Sequence, residues 1–138
     1  MRPVFADTFF FLAIINPRDA AHGKAIALAN SRTGPLITTA WILTEIADGL
    51  ADTFDRHLFH TILADLYAEP DGTVVPPAQE LFDRGVKLYV KRPDKDWSLT
   101  DCISFVVMEE RGIQEALTAD HHFEQAGFVA LLRCFFVA

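Results

Sequence analysis

Ala116-Leu117-Thr118-Ala119-Asp120-His121-His122-Phe123-Glu124-Gln125-Ala126-Gly127-Phe128-Val129-Ala130-Leu131-Leu132 carries a strand, a short helix and a second strand in one unbroken run. Ala116 to Thr118 is an apolar strand that stops at polar Asp120. His121 to Ala126 reads as a short helix, and Phe128 to Leu132 as a last strand. No hairpin turn links the two apolar runs. The same alternation extends toward the N-terminus. Ser98 caps a helix whose apolar residues Cys102, Ile103, Phe105, Val106, Val107 and Met108 almost surround it, so it should be buried on most sides. Arg111-Gly112 closes it with a glycine. Thr73-Val74-Val75 reads as a strand, and Pro76-Pro77 opens a helix from about Ala78 to Val90. Leu36-Ile37-Thr38 is a strand, with Thr38 or Thr39 capping a helix through Glu45 to about Leu50. A further helix from Asp52 or Thr53 presents Phe54, Leu58, Ile62, Leu63 and Leu66 on one face. Val4-Phe5-Ala6 is a short apolar run ahead of a helix through Phe9 to Ile15, which Asn16-Pro17 ends, and Asp19 is positioned to cap a helix through His22, Ala25, Ile26 and Leu28. Strands alternating with helices imply an α/β fold, a parallel sheet covered by helices on both faces.

The 138 residues are read as one domain, 1–138, and 51% are hydrophobic, which excludes disorder. The apolar stretch from Phe9 to Ile15 is far too short to span a bilayer, and no signal-peptide pattern precedes it. Cys102 and Cys134 lie in apolar surroundings without disulfide or zinc spacing, as buried thiols of a reducing compartment would. A cytoplasmic protein with no membrane association is therefore expected. The net charge of -7 argues against a nucleic-acid partner when taken alone. A local asymmetry runs the other way. Arg84, Lys87, Lys91, Arg92 and Lys95 crowd one segment, the first three at helical spacing, as an RNA track or a solvated helix face would.

Asp7, Glu45, Asp101 and Asp120 each stand where an apolar strand or helix turns polar. Ligands of open parallel sheets collect outside the carboxyl ends of the strands. Asp7 and Asp120 fall just past such ends. Asp101 lies on the first turn of a helix, and Glu45 can lean back over the same rim. Converging carboxylates raise one another's pKa, and a divalent cation relieves the conflict. Oxygen-only donors select Mg²⁺ or Mn²⁺, as one or two ions that activate water and steady a leaving oxygen in phosphodiester hydrolysis. Each acid also has an ordinary reading: an N-cap at Asp7, a capping box in Ser98-x-x-Asp101, an arginine partner for Glu45, and a turn at Asp120.

Phe5-Ala6-Asp7-Thr8, the mid-helix Glu45, Trp97-Ser98-Leu99-Thr100-Asp101-Cys102 and Leu117-Thr118-Ala119-Asp120-His121-His122-Phe123 resemble the motifs of the PIN domain family, in its compact VapC-like form. The resemblance covers essentially the whole chain. It implies a three-layer α/β/α sandwich around a mostly parallel sheet of four to five strands. It also implies a metal-dependent ribonuclease with Asp7, Glu45, Asp101 and Asp120 as its acids, using Mg²⁺ or Mn²⁺. Asp96 matches an additional acid, and Thr8, Ser98 and Thr118 match supporting hydroxyls. Many members are toxins held by a small antitoxin, and many are homodimers.

Around these positions, His121 and His122 read as structural histidines of a first helical turn. Trp97, in a polar loop, is a candidate for stacking on RNA bases, and Trp41 a weaker one, with packing into the fold as the other reading. Phe9, Phe10 and Phe11 cannot all face one side of a helix, which leaves at least one for the surface or a partner. Dehalogenase-like phosphotransfer wants an acid at position 9, where Phe9 stands. The alternative to a nuclease is a PIN-type module that binds nucleic acid or a partner without useful turnover.

Overall fold

Parallel strands form the centre of the molecule. The computed structural model describes residues 2–133, and the expectation of a buried thiol at Cys134 lies outside them. Strands β1 (Val4–Ala6), β2 (Leu36–Thr39), β3 (Gly72–Val75), β4 (Glu115–Leu117) and β5 (Val129–Ala130) make a five-stranded sheet in the order β3-β2-β1-β4-β5. Every pairing is parallel; Val4 aligns with both Leu36 and Glu115, and Ala6 with Leu117. Strand order reverses at β1, so β1 and β4 lie side by side and their carboxyl ends open onto one crevice.

Helices α1 (Thr8–Ile15), α2 (His22–Ser31), α3 (Ala40–Gly49) and α4 (Arg56–Ala68) form one packed group, and α5 (Gln79–Lys91), α6 (Leu99–Arg111) and α7 (His121–Gln125) a second. This is the expected α/β/α sandwich. α5 and α6 approach closely because Gly85 has no side chain: a Cβ there would lie 2.4 Å from Ile103 Cγ1. α6 is capped at both ends as its sequence requires. Ser98 and Asp101 form a reciprocal capping box, and Gly112 ends the helix at φ 67°. Cys102, Ile103, Phe105, Val107 and Met108 of α6 are all buried.

An aromatic cluster ties α6 and α7 to the sheet. Phe105 meets Phe123 and Trp97 edge-on, with centroids 5.0 Å apart in both pairs, and Phe123 lies 6.3 Å from Phe5 of β1. Such contacts contribute about 0.5–1.5 kcal/mol each beyond the area they bury. They also fix where the first turns of α6 and α7 point.

Several local expectations differ. α4 begins at Arg56, because Asp52 instead accepts a hydrogen bond from Phe54 N in a turn, which leaves Phe54 85% exposed. Asp19 caps no helix; its carboxylate closes a turn onto Ala21 N, and α2 starts at His22. Pro76 and Pro77 precede α5, which starts at Gln79. The last strand is reduced to Val129–Ala130, although Leu131 and Leu132 still donate to Ala116 and Thr118. No helix among the described residues is long and apolar enough to cross a membrane.

Candidate active site

β1 ends at Ala6, and Asp7 follows at the N-terminal boundary of α1. The side chain does not cap that helix. It turns inward, 6% exposed, and its Oδ2 accepts a 2.8 Å hydrogen bond from the Thr118 hydroxyl just past β4. The local capping reading of Asp7 is thus replaced by a contact across 111 positions of sequence. Thr118 is held in turn, since its hydroxyl accepts from Asp120 N and its carbonyl from Leu132 N.

Glu45 reaches the same region from α3, whose N-terminus is capped by Thr39. Its Oε1 accepts from the hydroxyl of Thr8, the first residue of α1, so no arginine is its partner in this bond. Asp101 occupies the first turn of α6, with Oδ2 accepting from Ser98 N. Asp120 is the N-cap of α7, where Oδ1 accepts from His122 N. The capping reading of Asp101 holds, Asp120 caps α7 where a turn was expected, and neither carboxylate is confined to that role. His122 Nδ1 bridges them, 3.2 Å from Asp101 Oδ2 and 3.4 Å from Asp120 Oδ1.

The acids also feel one another electrostatically. Burial pushes the Asp7 carboxyl up to about 7; the Thr118 hydroxyl opposes this, and the charges of Asp101 and Glu45 add to it. Asp101 is also raised, first by burial and then by Asp120, against the Ser98 amide and His122. Burial and the Asp101 charge push the Cys102 thiol up to about 11, which makes it the inert buried thiol expected. A buried carboxyl that resists ionisation among like charges is the kind of donor set that a divalent cation stabilises. Carboxylates of this kind suit a hard cation, and among the described residues Asp120, His121 and His122 are the group whose donor atoms all lie within 4.8 Å of one another.

The remaining candidates separate. The hydroxyls of Thr8 and Thr118 donate to Glu45 and Asp7, whereas Ser98 reaches the Asp101 carboxylate through its backbone amide and its hydroxyl accepts from Asp101 N. Asp96 is exposed on the loop and takes no part in those bonds. Trp97 is 6% exposed and donates to Gln125 Oε1, with Arg92 seated 5.1 Å above its ring. Its stacking role is corrected on that account, because the ring is buried and its N–H is already engaged. Arg84 pairs with Glu80 and Glu110, and Arg92 with Asp94, so these two belong to a solvated ion-pair surface. Lys87 and Lys91 are exposed on α5, and Lys95 is half-buried in the loop that leads to Asp101.

His122 is the residue that sequence reasoning undervalued; its place two positions after Asp120 on a capped first turn was the available signal. A groove of about 510 Å³ contains none of the four rim acids. It is lined by Phe10, Phe11, Ile14, Ile62 and Leu66 and opens toward Gly34 and Asp71, which precede β2 and β3. Phe10 and Phe11 are largely buried in its wall, and Phe9 is half-buried.

Comparison with known proteins agrees with this architecture. The chain is 32% identical, over 129 residues, to the 23S rRNA-specific endonuclease VapC20 of Mycobacterium tuberculosis strain CDC 1551 / Oshkosh. The match covers 91% of this chain and 95% of that protein, and the VapC20 of strain H37Rv matches equally. The crystal structure of M. tuberculosis VapC20, described as a sarcin-ricin loop cleaving toxin, superimposes with a TM-score of 0.82 at 28% identity, over 91% of this chain and 96% of that one. FitAcB from Neisseria gonorrhoeae has the same fold, with a TM-score of 0.66 at 16% identity over 92% and 94% of the two chains. The PIN domain family profile matches residues 4–129, and the chain belongs to the PIN domain family.

Proposed function

We propose that this protein is an endoribonuclease that hydrolyses RNA phosphodiester bonds with Mg²⁺ or Mn²⁺ and acts as the toxin of a toxin–antitoxin pair. The observation that carries the reading is the rim itself. Asp7, Glu45, Asp101 and Asp120 come from four separate segments of the chain, and Asp7 is buried where the charges of Asp101 and Glu45 reach it. The likeness to an rRNA-cleaving relative supports RNA as the substrate class.

Asp7, Glu45, Asp101 and Asp120 would hold one or two ions. A bound ion of this type acidifies an attacking water and neutralises charge on the phosphate and the leaving oxygen. The chain's own residues prepare that chemistry. Thr118 orients Asp7, Thr8 orients Glu45, and the Ser98 amide fixes Asp101, so each carboxylate is held before substrate arrives. Exposed Lys87 and Lys91, with Lys95, are the residues proposed to meet the RNA backbone. Asp7 binds a cation as the carboxylate, so cation binding displaces its proton and strengthens as pH rises through about 7.

The proposed site of action is the cytoplasm. Copurification with the product of an adjacent short reading frame tests the antitoxin, and light scattering tests the homodimer. The apolar groove at the opposite edge of the sheet is the surface suited to a partner's apolar helix face. The central experiment incubates purified protein with structured RNAs in Mn²⁺ and in EDTA. Cleavage is expected only with Mn²⁺. Equal cleavage in EDTA sinks the metal reading, and Mn²⁺ binding without cleavage of any RNA favours a binding module.

A further inference from the structure

His122 has a geometry that a merely structural histidine does not need. Its Nδ1 carries either one proton or one lone pair, yet it stands at nearly equal distances from two carboxylates, 3.2 Å from Asp101 Oδ2 and 3.4 Å from Asp120 Oδ1. A hydrogen bond requires only one of them. Two neighbouring ligands on an octahedral ion with bonds of ~2.0–2.1 Å stand ~3 Å apart. Each O···N separation is of that size, and the donor atoms of Asp120, His121 and His122 all lie within 4.8 Å of one another.

The ring is also held for that task. Its side chain is 19% exposed and that of Asp101 13%, so both are mostly withdrawn from bulk water. The backbone N of His122 is tied to Asp120 Oδ1 at 2.9 Å, and the next residue, Phe123, is fully buried in the aromatic cluster. His121 differs. It is exposed, its Nδ1 lies 3.7 Å from Asp120 Oδ1, and its ring rests against that of His122 with centroids 4.4 Å apart.

We propose that His122 is a nitrogen ligand of the divalent cation at this rim, alongside Asp120, and that it biases the site toward Mn²⁺ over Mg²⁺. Imidazole nitrogen suits first-row transition ions, whereas Mg²⁺ prefers oxygen donors and keeps its waters. The inference rests on the metal-binding reading above and refines its donor set. It gives His122 a role in choosing the ion, separate from the role of the four acids in binding one at all.

The test uses the full chain loaded with Mn²⁺ alone and reads the ion directly by pulsed electron paramagnetic resonance. Modulation from a directly bound ¹⁴N is expected, and labelling the protein with ¹⁵N-histidine should replace it with the ¹⁵N pattern, a readout that needs no variant to fold. His122→Asn should abolish the modulation and weaken Mn²⁺ binding about tenfold or more, with Mg²⁺ binding changed less. His121→Asn, a change at the exposed neighbouring ring, should leave the ¹⁴N modulation in place. Mn²⁺ that binds without histidine modulation overturns the ligand role and leaves the metal reading standing. Modulation that survives His122→Asn but disappears in His121→Asn overturns it in favour of the neighbour. Failure to bind Mn²⁺ at all removes the metal reading and this inference together.

Discussion

The two edges of the sheet differ in what burial does to them. At the carboxyl edge, burial confines Asp7 near like charges and pushes its pKa up to about 7. Toward the other edge, burial removes Phe10, Phe11, Ile62 and Leu66 from water around an apolar groove. The first arrangement costs stability, and the second supplies it. Functional chemistry concentrates where the fold tolerates unfavourable electrostatics, and the contrast makes the two edges separable by experiment.

The largest expected effect is at the acidic edge. Asp101→Asn should reduce Mn²⁺-dependent RNA cleavage by about a hundredfold or more while circular dichroism and melting temperature stay near the parent values. Normal turnover by this variant would break the division of labour. At the apolar edge, Ile62→Ala should lose about 2–5 kcal/mol of unfolding free energy in a urea titration. Cleavage per folded molecule should not change.

Asp7 sharpens the comparison because its removal should cost activity and increase stability. Its carboxyl is neutral in both folded and unfolded chains below the ordinary value of 3.8, and ionised in both above about 7. A raised folded pKa means that metal-free stability falls as pH climbs through this window. Asp7→Asn keeps an acceptor for Thr118 and should stabilise the metal-free protein at pH 8 by up to about 4 kcal/mol, with the gain shrinking toward pH 4. Thermal melts in EDTA across that range measure it, and a variant that melts lower at pH 8 contradicts the account.

Ser98→Ala removes one half of the capping box that holds Asp101 and should cost about 1 kcal/mol. Cleavage per folded molecule should stay near the parent value, because the Ser98 amide that bonds the Asp101 carboxylate is retained. The smallest effect belongs to the basic segment. Lys87→Glu with Lys91→Glu should weaken RNA binding modestly and reduce its salt dependence, the slope falling by about one for each phosphate no longer neutralised. An unchanged slope returns these lysines to an ordinary solvated face.

Much of the frame was legible because its signals are local. Ser98-x-x-Asp101, the glycine at 112 and Thr39 ahead of α3 each satisfy backbone groups within a few residues, so sequence spacing states the contact outright. The parallel order followed from strands separated by helices. Asp7 was legible as an acid at a strand end, and its partner was not, because Thr118 reaches it only after β1 and β4 have paired. Trp97 in its polar loop suits either stacking or packing, and three neighbours, Phe105, Gln125 and Arg92, decide for packing. Phe54 erred in the opposite sense: its periodicity suited a helix face, but the Asp52 turn stops the helix short of it.

The sequence by itself determined the alternation of strands and helices, the capped start of α6 and the four acids that belong near strand ends. These rest on backbone propensities and spacings of a few residues. Tertiary structure alone decided that β1 and β4 adjoin, that Thr118 grips Asp7, and that His122 stands between Asp101 and Asp120. The physical reason is range. A cap satisfies its own helix, whereas the electrostatic cost of clustered carboxylates exists only once distant segments share one buried rim.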